Sequence, residues 1–332
     1  MNTREVQSQS SEVTGAKQPL PFRPGTGQRI LRAVAVAATV PYVGLKAAWL
    51  AGSSLGIPEG SVLREQGPFF TVANSVTLAM DACVILLVLV LTRPWGIRVP
   101  AWLLTVPVFV ATGLLTPIVV AYPGQLLLRA LGFGPDPVVE AARAPFLDPW
   151  VFVVVYTGFI VQGLALAGLF VPYARERWGR RWQGVTGKRL PPSTGVVAAA
   201  AAVGSLAIAA VYGYWTFGGT AGLGAAHVAD RSSDTAVGSA THALCALAAA
   251  AGALLLARGG TLPASRPLGL AWIGGAATLS WGAWMLIAST GPQPAGGEGP
   301  PATMVLIYAG QVITGLLTGT VLIRFLTAPR AV

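Results

Sequence analysis

Charge is scarce in this sequence. Only 10% of its 332 residues are Asp, Glu, Lys or Arg, where a soluble domain carries about a quarter. A chain so poor in charge and 54% hydrophobic cannot cover a folded surface with groups that water solvates, so an ordinary soluble domain is excluded. Cysteine is nearly absent too. Cys83 and Cys245 both fall inside long apolar runs at a spacing that holds no metal, which argues against a structural disulfide or zinc site and for buried apolar thiols. Of the two histidines, His227 and His242, neither lies in the first half, and haem held between paired histidines of two half-bundles is thereby disfavoured. No phosphate-cradling glycine loop followed by lysine, no zinc-protease histidine pair and no serine elbow occurs. No metal and no cofactor is expected, and ATP-driven transport by this chain alone has no support.

What is present is apolar length. Eight stretches, 30–52, 69–92, 99–122, 150–173, 194–217, 237–257, 268–290 and 304–326, each have the roughly 20 mainly apolar residues that cross a hydrocarbon core of about 30 Å. The fold class this predicts is all-α: a polytopic integral membrane protein of about eight transmembrane helices, with the lipid bilayer as its first partner. Glycine, alanine and valine dominate the apolar residues, and small residues are what closely packed membrane helices place at their contacts. The net charge of +10 does not indicate nucleic acid, because the basic residues lie between apolar runs instead of gathering on a soluble face.

Lysine and arginine also set the orientation, since cytoplasmic loops retain them. With the N-terminus inside, the cytoplasmic side holds the basic residues of the tail (Arg4 to Arg32), then Arg93 and Arg98, then Arg175, Arg177, Arg180, Arg181, Lys188 and Arg189, then Arg258, Arg266, Arg324 and Arg330. Only Arg64, Arg129, Arg143 and Arg231 fall outside. The expected location is the cell membrane with both termini cytoplasmic. The domains read as a disordered cytoplasmic tail over 1–28 without a signal peptide, a first four-helix module over 29–175, a basic linker over 176–193, a second module over 194–327 and a short tail over 328–332. The linker, with Trp178 and Trp182 among its arginines, reads as a topological anchor against anionic headgroups or a docking site for a cytoplasmic partner. The outer loop 123–149 is expected to form short helices on or dipping into the outer leaflet.

The two modules echo one another. Lys46, Trp49, Gly52 and Gly56 have the spacing of Tyr212, Trp215, Gly218 and Gly222 at an offset of 166, and Tyr156, Gly158, Val161, Gly163 and Leu164 match Tyr308, Gly310, Ile313, Gly315 and Leu316 at an offset of 152. Weaker echoes join Cys83 to Cys245 and Ala101-Trp102 to Ala271-Trp272. Four spans per unit is an even number, so the expected arrangement is a parallel tandem repeat of a four-helix bundle, with any cavity near the interface of the two. The segment from Lys46 to Gly56 and the run Tyr214-Trp215-Thr216-Phe217-Gly218-Gly219-Thr220-Ala221-Gly222-Leu223 resemble the helix-end motif of small four-span actinobacterial membrane proteins of the uncharacterised DUF3995 type. Ser53 stands where the second copy has Gly219, and Tyr212 replaces the lysine. The resemblance implies a four-span unit and no activity.

Ionisable groups inside a membrane are functional candidates by default. Three qualify: Asp81 near the middle of span two, Lys46 a little over one turn from the outer end of span one, and His242 one turn into span six. A carboxylate at that depth is protonated, paired or beside water, because an uncompensated charge costs several kcal/mol. Lys46 either reaches inward to Asp81 or extends outward to the headgroups. Tyr42, Asn74 and Thr77 line the same side, and Gln162 and Gln311 lie in the matching fourth and eighth spans. As binding residues the candidates are Lys46, Asp81, Tyr42, Asn74, Gln162, His242 and Gln311, and Asp81 is the one candidate for a catalytic role.

Three function classes remain open. The first is transport or binding of a small or amphipathic solute with Asp81 changing protonation. The second is a structural or partner protein whose buried pair fixes helix packing. The third is a membrane-embedded enzyme acting on an isoprenoid or lipid-soluble substrate in the manner of terpene cyclases, with Asp81 as general acid.

Overall fold

Backbone amides surrounded by hydrocarbon must bond within their own helix, and the eight apolar stretches do so. The computed structural model describes residues 25–65, 67–135, 147–179, 184–291 and 299–328. Eight of its helices are long and apolar enough to cross a membrane: α1 (Thr26–Leu50), α2 (Pro68–Thr92), α3 (Ala101–Ala130), α4 (Pro149–Trp178), α5 (Pro192–Thr216), α6 (Ser233–Arg258), α7 (Ser265–Ala288) and α8 (Ala302–Thr327). The protein is an all-α polytopic membrane protein. Because the helices alternate in direction, one face carries the start of α1 and the end of α8 (the terminal face) and the other is the distal face.

Helix α3 corrects the expected outer loop. It continues through Pro123 to Ala130, because proline forfeits only one ladder bond and the added turns gain partners on α6. Gln125 Nε2 donates to the Asp234 carbonyl at 3.0 Å, and Arg129 pairs with the Asp234 carboxylate at 2.5 Å. The rest of that loop, 136–146, lies outside the described residues, as do the tail 1–24, Arg180 and Arg181. The basic linker is also more ordered than a plain loop. After α4, β1 (Val185–Gly187) pairs antiparallel with β2 (Gly260–Pro263) from the connection between α6 and α7. Arg177 is tied to the protein itself. Its guanidinium donates to the Val99 carbonyl at 2.6 Å and to the Tyr173 hydroxyl at 2.5 Å, clamping α4 to the connection between α2 and α3.

The ends of α1 and α5 are built alike. Each helix closes on a left-handed glycine just beyond its end, Gly52 (φ 89°) and Gly218 (φ 108°), where a side chain would meet the following carbonyl. In each, a wider backbone bond wraps the end, Ser53 to Ala48 and Gly219 to Tyr214, both at 2.9 Å. In each, a tryptophan indole then staples the loop: Trp49 Nε1 donates to the Leu55 carbonyl at 2.7 Å and Trp215 Nε1 to Ala221 at 3.0 Å. Trp49→Phe or Trp215→Phe is expected to remove one hydrogen bond to a partly buried carbonyl and lower stability by about 1–2 kcal/mol, read as earlier thermal unfolding in detergent; an unchanged midpoint for both variants would show the staple to be idle.

The halves differ in how tightly they close. In the second, α6 and α7 touch through glycines: a Cβ on Gly252 would stand 2.6 Å from Ala271 Cα, and one on Gly274 2.8 Å from Ala249 Cα. In the first, aligning α2 with α6 and α3 with α7 on their first residues puts Leu87, Pro107, Val84 and Val110 where Gly252, Ala271, Ala249 and Gly274 stand. No glycine brings α2 and α3 into contact of that kind; Gly113 and Gly124 of α3 meet α7 and α6 instead. The buried cluster the two share, Leu87 and Leu91 with Leu104 and Val108, lies toward the terminal face. Toward the distal face the cluster of Leu45, Trp49, Ile57 and Val151, with Phe70 against it, draws on α1, α2 and α4 but not α3.

There α3 turns to other helices. Gly113 packs against Ala276 and Ser280 of α7, and Trp281 Nε1 donates to the Leu114 carbonyl at 3.2 Å. Gly124 meets Val237 of α6, and Tyr122 meets Tyr156 of α4 at 5.0 Å between ring centres. Thus α3 joins the two halves and α2 is attached mainly to α1, with Phe69 at its distal end against Gly291.

Candidate functional site

Helix geometry collects the polar residues of α2. Asn74, Thr77 and Asp81 are three and four apart and so fall on one face, which is the face packed on α1. Opposite them, Tyr42, Lys46 and Trp49 share a face of α1 by the same spacing. Lys46 and Asp81 are 6% and 5% exposed, and Asn74 is buried with them.

The lysine is fully occupied. Its ammonium donates to Asn74 Oδ1 at 3.1 Å and to Thr77 Oγ1, and it lies 4.7 Å from the Tyr42 ring centre and 6.0 Å from that of Trp49, near enough for both ring faces to stabilise a cation. The Asn74 amide in turn donates to the Phe70 carbonyl at 2.9 Å, which fixes Oδ1 toward Lys46. The structure therefore replaces both expected fates of Lys46: it neither extends outward nor forms an ion pair with Asp81, because uncharged oxygens and two aromatic faces on the adjacent turn satisfy it first.

Asp81 is left over. Its Oδ2 is buried and has no hydrogen-bond partner. Buried polar atoms without partners are rare in native proteins and point to a strained or functional group, or to something that arrives there.

The remaining sequence candidates are dispersed. His242 lies more than two turns into α6, deeper than its span boundary suggests because that helix begins at Ser233. It is stacked on Tyr212 at 5.0 Å and stands edge-on to Trp281 at 5.5 Å. Gln311 is 1% exposed and accepts from the Tyr212 hydroxyl at 3.4 Å. These two belong to the second half and do not meet Lys46 or Asp81. Gln162 is buried in α4 at 2% exposure, and no hydrogen bond links it to the cluster. Of the two cysteines only Cys245 is the expected buried thiol; Cys83 is exposed on α2, because it stands two residues past Asp81 and therefore on the other side of the helix. Trp281, which flanks His242 and bonds α3, is not among the sequence candidates; nothing in the spacing of one helix reveals a contact across two.

The corresponding place in the second half is informative. With α1 on α5 at the offset of 166 and α2 on α6 by their first residues, Tyr42 falls on Ile208, Lys46 on Tyr212, Thr77 on His242 and Asp81 on Ala246. The contact is kept while its chemistry changes: Lys46 meets Thr77, and Tyr212 meets His242. Ile208, Tyr212 and Ala246 form one buried apolar cluster. A helix pair of this shape consequently folds without a carboxyl or an ammonium at these positions.

Two surface hollows accompany the site without reaching it. One, of 450 Å³, lies between α1 and α4 against Val34, Ala38, Pro41 and Gly158. The other, of 720 Å³, lies at the start of α5 beside Arg189 and Gly195.

Fold and site together define a multi-pass α-helical membrane protein with a polar cluster buried in its first half. No protein-family model, no curated protein and no solved structure matches the chain.

Proposed function

We propose that this protein binds and moves a small or amphipathic solute through the cell membrane, with Asp81 as the group that takes up and releases a proton during the cycle. One observation carries this reading: Asp81 is buried with Oδ2 unpartnered at the position where the other half has Ala246. Leaving a polar group buried and unsatisfied costs about 1–3 kcal/mol, a cost the fold avoids at the matching position of the second half, where Ala246 stands. Residues kept at such a cost are those whose chemistry is used.

The matched ends of α1 and α5 support descent of the halves from one four-helix unit, the second serving as scaffold while the first carries the polar cluster. The basic residues at the terminal face, Arg93, Arg98, Lys188, Arg189, Arg258, Arg266 and Arg324, support placing that face and both chain ends in the cytoplasm.

The test is proton exchange. Protein is reconstituted in vesicles holding a proton gradient reported by a pH-sensitive dye, and solutes from tetraphenylphosphonium and ethidium to betaine and farnesol are added in turn. At least one is expected to discharge the gradient through the wild type and to have no effect through Asp81→Asn at equal incorporation. Identical responses from the two proteins, or none from either, would sink the proposal and favour a purely structural cluster.

A further inference from the structure

We propose that the hollow at the start of α5 binds one phospholipid of net negative charge, with its phosphate on Arg189 and the top of an acyl chain along Val196 and Ala199. The inference is independent of Asp81 and of solute movement.

The cation is held in place and uncommitted. The Leu190 amide donates to the Ala257 carbonyl at 3.0 Å, and a Cβ on Gly259 would stand 2.9 Å from the Arg189 backbone nitrogen, so the end of α6 packs on the very backbone that carries the arginine. Pro191 and Pro192 follow and restrict the chain further. Other arginines of the terminal face spend their guanidinium on the protein, Arg177 on Val99 and Tyr173, and Arg324 on Thr194 Oγ1 at 3.3 Å. Arg189 has neither a hydrogen bond nor an ion pair among the described residues.

The hollow beside it has the two-part character of a membrane boundary. It measures 720 Å³ and runs from Arg189 past Pro191 and Gly195 to Val196 and Ala199. At a rise of about 1.5 Å per residue, Ala199 lies roughly 10 Å along α5 from Pro192, so the wall descends from the level of the headgroups into the hydrocarbon. Val196 is 69% exposed, and nothing stands within 4 Å of a Cβ placed on Gly195, which leaves this side of α5 open to a chain lying against it. A soluble phosphate compound would gain nothing from that apolar wall, whereas an acyl chain covers it.

Charge selects the head. Among the described residues of the terminal face the one acid is Glu176, in the last turn of α4, whereas Lys188 precedes Arg189 and Arg324 reaches the first turn of α5. A field of one sign attracts a phosphate and repels the ammonium of a zwitterionic head. The end of α5 is not itself the anion site. Pro191 and Pro192 have no N–H, and the amides of Thr194 and Gly195 already donate to the Pro191 carbonyl at 2.8 and 3.1 Å. Recognition therefore falls to the guanidinium, whose fork gives a phosphate two parallel N–H donors.

Photolabelling from the lipid reads the site. Protein in phosphatidylcholine vesicles receives a trace of phospholipid carrying a diazirine near the top of one acyl chain and either an anionic glycerol head or a zwitterionic choline head, and labelled peptides are identified by mass after illumination. The anionic probe is expected to label the peptide of Val196 and Ala199 about fivefold more than the choline probe, the worth of one cation beside an anionic lipid. Arg189→Gln should remove that preference and Arg189→Lys should keep most of it. Arg98→Gln, which takes the same charge from the connection between α2 and α3, should leave it intact. Equal labelling of this peptide by the two probes, labelling by neither, or an undiminished preference in Arg189→Gln would overturn the proposal. An equal loss in Arg98→Gln would do so as well, since the effect would then belong to the general charge of the face. Glycerol phosphate in large excess in the water is expected not to compete; full competition would assign the hollow to a soluble phosphate and overturn the lipid.

Discussion

Gly252→Leu combined with Gly274→Val unfolds the second half. The pair gives α6 and α7 the side chains that α2 and α3 carry at the same places, and in the second half there is no room for them. A Cβ at Gly252 already falls 2.6 Å from Ala271 Cα, and one at Gly274 2.5 Å from the Cys245 carbonyl oxygen. These are backbone atoms of a neighbouring helix, which cannot rotate aside as a side-chain tip can. Overpacking costs about 1–3 kcal/mol per site where neighbours can yield, and here two helices must part along a contact that also buries Ala249 and Ala271. A loss upward of about 4 kcal/mol is expected, a size reserved for named defects of this kind. Tryptophan fluorescence during heating in detergent should show a midpoint far below wild type or no cooperative transition. Gly319→Ala is the control: that glycine is helical with nothing within 4 Å of an added Cβ, so the change should be neutral or stabilise by about 0.5–1 kcal/mol through helix propensity. Equal melting of the double variant and the control would refute the close-contact account.

The triple change Lys46→Tyr, Thr77→His and Asp81→Ala should act in the opposite way, keeping the fold and abolishing function. It writes Tyr212, His242 and Ala246 of the second half into the matching positions of the first. Replacing a buried set of charged groups with packed residues of similar bulk is often neutral or stabilising by about 1–4 kcal/mol. Removal of the unpartnered Oδ2 adds to the gain. The expected outcome is an equal or higher melting midpoint together with complete loss of solute-dependent proton movement. A variant that folds and still moves protons would free Asp81 of any role. If the triple variant is unstable, Asp81→Ala alone supplies the comparison, since it removes the orphaned carboxyl and leaves Lys46 with Asn74, Thr77 and the two rings.

Both variants act on a cluster that is only half legible in the amino-acid order. Lys46, Asn74, Thr77 and Asp81 stand out because each is an intruder in an apolar run, and helical spacing alone puts the last three on one face. The partner of each does not stand out. Lys46 takes Asn74 and Thr77 over the more strongly charged Asp81 because a side chain is limited by reach and by which oxygens its own turn faces. The echo between Cys83 and Cys245 suggests a shared position, yet one thiol is exposed and the other buried; aligning α2 and α6 on their first residues separates them by several positions. Ala101-Trp102 and Ala271-Trp272 likewise differ in place, the first pair opening α3 and the second lying a turn and a half into α7.

Sequence by itself determined that the chain crosses the bilayer as eight helices, where each begins and ends to within a few residues except at the far ends of α3 and α4, and that the ends of α1 and α5 share one construction. These depend on local quantities: apolar length against bilayer thickness, proline and glycine at the ends, and the need of every amide for a partner within its own segment. Tertiary structure alone decided that α3 leaves α2 to join α6 and α7, that glycines let α6 and α7 close on each other, and that Lys46 takes Asn74 and Thr77 while Asp81 Oδ2 is left unpartnered. Such outcomes depend on which surfaces fit at distances of a few ångströms between helices remote in the chain, and the pattern along one helix carries no record of what will lie against it.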